Sequence, residues 1–242
     1  MKLMKKIALW GGGVTAVVCS GYLWFTQVDN AVYPADERAI AKALGSSFDT
    51  PHADDMHFED QVAFIRRVQG AVLGEVPVNA GIPHGQPREP DDLLARGKGL
   101  CFDRSRFIEK ALRHHGFETR HIAIYSTEET GSALVSLLTP QISSHAVTEV
   151  KTSRGWLVVD SNELWLSLDK GYQPVSIEQL SEMEPTGMQE QLLHQPDTSI
   201  YANEFTFVYG LYSRHGMFYP PYDRVPDIHV LEFAMNLARV LP

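Results

Sequence analysis

Residues 97–116 read GKGLCFDRSRFIEKALRHHG, a short glycine-containing turn followed by a helical pattern. The apolar residues that recur on one side of this pattern are Phe107, Ile108, Ala111 and Leu112. Their spacing predicts a helix from Cys101 to about residue 115. Gly116 follows, and glycine commonly terminates helices because it adopts the left-handed backbone conformation. The pattern therefore places Cys101 at the N-terminus of a helix.

The residues that follow this helix predict short strands. Residues 119–125 and residues 133–138 both have strand-like apolar patterns. Residues 145–151 and residues 155–160 are two further strand patterns, and the short segment 152–154 between them predicts a hairpin loop. A helix followed by antiparallel strands is the element order of an α+β domain.

The residues before the turn predict two helices and a loop. Residues 35–44 form the first predicted helix, and residues 57–73 form an amphipathic one because apolar residues recur there at helical spacing. Residues 77–90 contain repeated glycine and proline, which predicts a loop.

The pattern is less regular beyond Asn162. Residues 177–193 predict helical turns, and residues 228–241 predict a closing helix. Between them, residues 208–222 are rich in Tyr, Phe, Gly and Pro. Such a segment could line a groove for a peptide or sugar, with Arg214 and His215 contacting substrate, or it could fold back over the core.

The N-terminus has the pattern of a membrane anchor. Lys2, Lys5 and Lys6 precede an apolar run, residues 7–25, that carries no charged side chain and is about as long as a bilayer-spanning helix. Lysines before the run predict that the rest of the chain lies outside the cytoplasm. Three glycines at residues 11–13 weaken the helix, so a cleaved signal peptide is the alternative. No small-residue cleavage site follows the run, which favours an uncleaved anchor.

The remainder of the chain is acidic. Without the three anchor lysines it has 18 basic residues against 30 acidic ones, a formal charge of about −12. This balance argues against nucleic acid as a partner, and against docking on anionic lipid beyond the anchor.

The two cysteines lie in different parts of the chain. Cys19 is inside the apolar run, so Cys101 has no intramolecular partner in its own compartment. Structural cysteines in oxidising compartments are usually paired. Cys101 is therefore either a small buried hydrophobe or a reactive thiol. At a helix N-terminus, free N–H groups and the helix dipole favour the thiolate, which is the nucleophilic form.

His145 and Asp160 are placed to act together with a thiol. If residues 145–160 form the predicted hairpin, one register puts His145 opposite Asp160. The other puts His145 opposite Asn162, with Asp160 as the diagonal neighbour on the same face. In both registers a carboxylate can orient an imidazole and fix its tautomer, as a base serving a thiol requires.

Three blocks carry a resemblance to a known family. Residues 99–105 (GLCFDRS), 144–150 (SHAVTEV) and 155–160 (GWLVVD) resemble the Cys, His and Asp motifs of bacterial transglutaminase-like domains. The likeness covers residues 58–161, and its blocks occur in the family's order. It implies a papain-like α+β fold in which Cys101 attacks an amide carbonyl, His145 acts as base and Asp160 orients His145. The resemblance does not decide between transferase and hydrolase, and no cofactor is expected.

These observations predict four regions. Residues 1–27 are the anchor or signal peptide, residues 28–56 a tether with the first helix, residues 57–162 the catalytic core, and residues 163–242 an extension packed on that core. The predicted protein is a single-pass protein of the bacterial inner membrane with its catalytic domain on the periplasmic side. It would act through a Cys thioester on a peptide or protein amide of the cell envelope. The alternative is an idle module of the same fold that binds envelope proteins or glycans.

Other polar residues near the predicted triad have more ordinary interpretations. Asp103 and Arg104 are expected to form structural ion pairs or caps, and His121 is expected to be a packed strand histidine. Asn79 and Gln86 are candidates for a side chain that donates to an oxyanion. No histidine pair has the spacing of a helical zinc site, so no metal is expected.

Overall fold

The computed structural model describes residue 21 and residues 27–45, 52–83, 86–139, 141–212 and 227–240. Almost all of the predicted anchor, residues 1–20 and 22–26, lies outside the described residues. Among the described residues, no helix is both long enough and apolar enough to cross a membrane.

The described helices are α1 (Pro34–Leu44), α2 (Phe58–Glu75), α3 (Pro90–Arg96), α4 (Cys101–His114), α5 (Ala133–Leu138), α6 (Ile177–Glu182), α7 (Pro185–Gln191) and α8 (Val230–Val240). Short 3₁₀ turns are formed by Ala53–Asp55 and Ser199–Ala202. The described strands are β1 (Val78–Asn79), β2 (Lys98–Gly99), β3 (Thr119–Ser126), β4 (Ser144–Thr152), β5 (Gly155–Val159), β6 (Phe205–Tyr209), β7 (Leu211–Tyr212) and β8 (Asp227–Ile228).

The main sheet is antiparallel and has the strand order β5-β4-β3-β6. One apolar cluster joins α2 and α4 to residues such as Val150 and Leu157 of this sheet. A second cluster joins α6 and α7 to residues such as Ile122 and Val147. Both faces of the sheet are therefore covered, and the predicted α+β fold with an antiparallel sheet is confirmed.

The start of α4 is fixed by buried polar contacts. The backbone N–H of Leu100 donates to Asp103 Oδ2 over 2.9 Å, which satisfies a donor that the helix itself leaves unpaired. Arg88 pairs with the same carboxylate at 3.0 Å. A Cβ atom on Gly99 would lie 2.9 Å from the Asp103 Cβ, so the turn requires glycine there. The predicted cap and ion pair of Asp103 are confirmed, and together they fix the position of Cys101.

The helix also ends as predicted, while residues 133–138 do not form the predicted strand. Gly116 has φ +85° just after the last turn of α4. Residues 133–138 form α5, because the Ser132 side chain accepts a hydrogen bond from the Val135 N–H and so caps a helix. A short apolar run fits the residue spacing of a helix as well as that of a strand, and the cap at Ser132 favours the helix.

Two further differences concern regions predicted as loop. Strand β1 lies within residues 77–90 and pairs in parallel with β2, which brings Asn79 opposite Gly99, two residues before Cys101. Strand β6 begins before the aromatic segment 208–222 and joins the main sheet beside β3. Residues 213–222 of that segment, with Arg214 and His215, lie outside the described residues.

Candidate active site

Cys101 is the first residue of α4 and is a partly exposed free thiol. It packs against a small apolar cluster that contains Phe102, Tyr125 and Ala146. The side chain is therefore supported by the core and still reachable from solvent. Because Cys101 is the first residue of α4, its own backbone N–H has no acceptor within the helix, and such a group favours a thiolate or an oxyanion.

His145 and Asp160 are in direct contact. His145 Nε2 donates to Asp160 Oδ2 over 2.8 Å, and both side chains are buried. The hairpin pairs Thr148 with Val159 and Thr152 with Gly155. Extended by three residues, this register brings Asn162 opposite His145, so the second of the two predicted registers is the one that occurs.

The Asp160 carboxylate accepts several hydrogen bonds besides that of His145. Tyr201 Oη donates to Oδ2 over 3.1 Å, and the backbone N–H groups of Asn162 and Glu163 donate to Oδ1 over 2.7 and 3.2 Å. Burial raises the pKa of Asp160, but the charge and hydrogen bond of His145 and these other donors outweigh it. The net effect lowers the Asp160 pKa, so the group stays ionised.

The same interactions act in the opposite direction on His145. Burial lowers its pKa, whereas the charge and hydrogen bond of Asp160 and a contact with the Cys101 side chain raise it, with a net pKa of about 10. His145 is therefore an imidazolium at neutral pH. Since Nε2 faces Asp160, Nδ1 is the nitrogen that can exchange a proton with the thiol. The structure thus brings Cys101, His145 and Asp160 together.

Asn162 connects His145 to a buried arginine on α4. Its Nδ2 lies 3.4 Å from His145 Nδ1, and its Oδ1 accepts a hydrogen bond from Arg104. Arg104 also donates to Asn79 Oδ1 over 3.0 Å and to the Val76 carbonyl oxygen over 3.4 Å. The prediction of an ion-pair or capping role does not describe Arg104, because these partners are all neutral oxygens.

Arg104 lies in the electrostatic field of the site. Burial lowers its pKa, and the charges of Cys101, Asp160 and Asp103 raise it in part. The guanidinium is one helical turn after Cys101, with a buried Nε that has no hydrogen-bond partner among the described residues. It therefore supplies positive charge beside the thiol and holds the amides of Asn79 and Asn162 in place.

Gln69 of α2 holds the segment that carries Asp160. Its Nε2 lies 2.8, 2.9 and 2.8 Å from the carbonyl oxygens of Asp160, Glu163 and Trp165, which share its two N–H donors. Buried carbonyl groups are costly when unpaired, so one side chain fixes the backbone on both sides of Asn162.

The sequence did not identify three of these residues as part of the site. Tyr201 and Gln69 are distant in sequence from Asp160 and have no local signal. Asn162 could have been found, because one of the two predicted registers placed it opposite His145. Of the two candidate oxyanion donors, Asn79 is connected to the site by its hydrogen bond with Arg104, and Gln86 is an exposed loop residue.

His121 has the structural role expected of it. It is buried, stacks on Tyr212 with ring centroids 4.1 Å apart, and lies 3.3 Å from Ser105 Oγ through Nδ1. Burial, followed by the charge of Arg106, lowers the His121 pKa to about 3, so the ring is neutral. Within the part of the chain that the structure describes, no three His, Cys, Asp or Glu side chains are grouped as a metal site would require.

Comparison with known proteins agrees with this geometry. The family model of the transglutaminase-like superfamily matches residues 53–161, which include α2, α4 and the hairpin of β4 and β5. No curated protein and no solved structure matches the chain significantly. The resemblance expected from the three sequence blocks is thereby confirmed. Residues 53–161 form a domain of the transglutaminase-like superfamily.

Proposed function

We propose that this protein is a thiol enzyme that cleaves or transfers an amide acyl group through a thioester on Cys101. The observation that carries the proposal is the buried hydrogen bond of 2.8 Å between His145 and Asp160, with the imidazole beside a thiol at a helix N-terminus. A binding module has no chemical need for this set of three groups. Cys101, His145 and Asp160 are therefore the proposed catalytic residues.

The mechanism gives each of these groups one role. The Cys101 thiolate attacks an amide carbonyl, and the oxyanion that forms is held by the backbone N–H of Cys101. Protonated His145 gives its Nδ1 proton to the leaving amine, and the thioester remains. Neutral His145 then accepts a proton from water or from a second amine, which attacks the thioester and releases the product. Asp160 stays ionised and orients the ring throughout.

Asn79 is the proposed side-chain donor for the oxyanion. Its Oδ1 is bound by Arg104, so the amide is oriented and its N–H groups remain available for a ligand. Strand β1 holds Asn79 opposite Gly99, two residues before Cys101 in the chain. Gln86 is a weaker candidate because nothing among its described contacts fixes its side chain.

The proposed location is the bacterial inner membrane, with the domain on the periplasmic side. The supporting features are the three lysines and the uncharged run 7–25 that follows them. The proposed substrate is a peptide or protein amide of the cell envelope. A C-terminal alkaline phosphatase fusion, which is active only outside the cytoplasm, tests the orientation.

Hydroxylamine trapping tests the chemistry without knowledge of the natural acceptor. The full chain is incubated with peptidoglycan stem peptides and with a digest of envelope proteins, and mass spectrometry detects the hydroxamates formed from a thioester. We expect hydroxamates with the unchanged chain and none with Cys101→Ala. Equal amounts with both proteins would contradict the proposal.

A further inference from the structure

Helix α8 packs on the protein through its polar side. Glu232, Asn236 and Arg239 are spaced so that they lie on one face of the helix, and this is the face that contacts the rest of the chain. This arrangement is the reverse of an ordinary surface helix, which buries its apolar face.

The polar contacts have a definite cause, because α8 covers the open edge of β6. Asn236 Oδ1 accepts from the Tyr209 N–H, and Asn236 Nδ2 donates to the Tyr209 carbonyl oxygen, both over 3.0 Å. Arg239 donates to the Phe207 carbonyl oxygen over 3.0 Å. These side chains satisfy the backbone groups that an edge strand would otherwise leave unpaired.

The first turn of α8 is fixed by two further contacts. Glu232 accepts a hydrogen bond of 2.9 Å from the His121 N–H, and it forms an ion pair with Arg113 at 3.1 Å. Gly210 has φ +65°, and a Cβ atom there would lie 2.6 Å from the Phe233 backbone nitrogen. The helix is therefore closely docked, and its orientation about its own axis is determined.

Because the polar side faces inward, the apolar side faces outward. Leu231 is 76 % exposed and Leu237 is 63 % exposed, while Phe233 and Met235 at the borders of this face are 39 % and 36 % exposed. We refer to these four residues as the outer face of α8. A contiguous apolar surface of this kind marks a contact with something apolar.

The chain enters the described domain beside this helix. The Val28 N–H donates to the Ile228 carbonyl oxygen over 2.8 Å, and the Val230 N–H donates to Gln27 Oε1 over 3.2 Å. The uncharged apolar run ends at Phe25, two residues before Gln27. The start of α8 therefore lies where the proposed anchor joins the domain.

We propose that α8 lies on the bilayer that holds the anchor, with its outer face among the acyl chains near the headgroups. The inference rests on the proposed anchor, because that anchor puts Gln27, and with it Val230, at the membrane surface. An amphipathic helix parallel to the surface buries its apolar face in this way. The outer face has no basic cluster, and the domain is acidic, so the contact is apolar and does not require anionic lipid.

Spin-label accessibility in vesicles tests the contact with the full chain. Cys19→Ser and Cys101→Ser remove the native thiols, and a nitroxide is then attached to Leu237→Cys in vesicles of phosphatidylcholine. Oxygen concentrates in the bilayer and a charged nickel chelate stays in water, so their relaxation effects report the surroundings of the label. Leu231→Cys provides a second position on the same face. Leu164→Cys in the segment after β5 is the matched control, because Leu164 is 62 % exposed and lies between the polar Glu163 and the buried Trp165.

We expect the labels at residues 231 and 237 to be accessible to oxygen and protected from the nickel chelate, whereas the label at residue 164 is accessible to the chelate. Chelate access at residues 231 and 237 equal to that at residue 164 would overturn the inference. Protection from both reagents would also overturn it, because the face would then be covered by protein. A label at Val17→Cys separates the two proposals: if it lies in lipid while residue 237 does not, the anchor stands and the α8 contact fails.

Discussion

Asp160 Oδ2 lies 2.8 Å from His145 Nε2, and the same oxygen accepts the Tyr201 hydroxyl at 3.1 Å. Two side-chain donors and two backbone N–H groups thus hold the buried Asp160 carboxylate in its ionised form. That charge is the main reason why His145 has a raised pKa in spite of its burial. The relationship determines the protonation state and the orientation of the imidazole beside Cys101.

Replacing Asp160 by Asn tests this relationship. The charge that raises the His145 pKa is removed, and burial becomes the largest remaining influence. We expect the His145 pKa to fall from about 10 to below about 6.5, the ordinary value for histidine. NMR titration of the His145 ring protons measures this, and Cys101-dependent acyl transfer should fall by about 10³-fold or more. A ring in Asp160→Asn that still titrates near its original value would contradict the account.

Gln69 offers a test of how the Asp160 segment is held. Gln69→Ala removes the side-chain donor of the Asp160 carbonyl oxygen, whereas the carbonyl oxygens of Glu163 and Trp165 keep backbone donors. We therefore expect a loss of about 1–3 kcal/mol in the free energy of unfolding. We also expect a lower His145 pKa, because Asp160 is then less well positioned. Urea denaturation and NMR titration measure the two effects.

Gln61→Ala is the matched control. Gln61 is buried on the same helix, where it donates to the Ala53 carbonyl oxygen over 3.0 Å and accepts from the Ser153 N–H over 2.9 Å. It holds the opposite end of the hairpin, so its loss should reduce stability and leave the His145 titration unchanged. Equal changes in the His145 titration of both variants would show that Gln69 acts only through global stability.

Arg104→Lys should reduce catalysis more than it reduces stability. A lysine keeps the charge but cannot hold Asn79 and Asn162 at the same time in the geometry of a guanidinium. We expect acyl transfer to fall by about 10-fold, since one positioning interaction of about 1.4 kcal/mol corresponds to that factor. Steady-state rates, together with urea denaturation, measure the two effects.

Arg106→Lys is the control for Arg104. Arg106 lies on the same helix and is also buried, but its partners are Glu89 at 2.9 Å and Asn30 at 3.1 Å, away from the triad. We expect this variant to lose stability with little change in rate. A comparable loss of rate in both variants would remove the specific role assigned to Arg104.

Glu109 makes stability depend on pH. Burial, and next the negative charge of Glu232, raise its pKa from 4.5 to about 7. Between these values the folded protein keeps a proton on Glu109 that the unfolded chain releases. This contribution to stability is therefore fully present below about pH 4.5 and is lost as pH rises through about 7. The shift corresponds to something on the order of 3 kcal/mol.

Glu109→Gln isolates this contribution, because the amide resembles the protonated acid and does not titrate. We expect the unchanged chain to lose more free energy of unfolding between about pH 5 and about pH 8 than Glu109→Gln does. Urea denaturation at both values measures the difference. Parallel losses in the two proteins would mean that Glu109 is ionised in the folded state.

Local sequence signals were sufficient for the parts of the site that lie within one helix or one hairpin. Gly116 and the apolar spacing located α4 and Cys101, and the two strand patterns brought His145 near Asp160. The sequence does not determine the exact register of the two strands, because hairpin loops of different length fit the same residues. The structure selects the register that puts Asn162 opposite His145.

Contacts between distant segments could not be predicted in this way. Tyr201 meets Asp160 only because a segment beyond the hairpin folds back over it, and Gln69 meets it only because α2 packs beside β5. The error at residues 133–138 had a local cause, since Ser132 caps a helix there. Helix α8 was predicted as an element, but its orientation depends on the open edge of β6, which the helix pattern alone does not reveal.

The most direct test of the central claim is the alkylation rate of Cys101 by iodoacetamide as a function of pH. The full chain with Cys19→Ser is compared with the same chain carrying His145→Ala, and with His114→Ala as a control at the other end of α4. We predict that the Cys19→Ser chain and its His114→Ala variant react rapidly at neutral pH, and that His145→Ala requires a higher pH for the same rate, because its thiolate has lost the imidazolium. Identical pH profiles in all three proteins, or a thiol that does not react, would contradict the claim and favour an idle binding module.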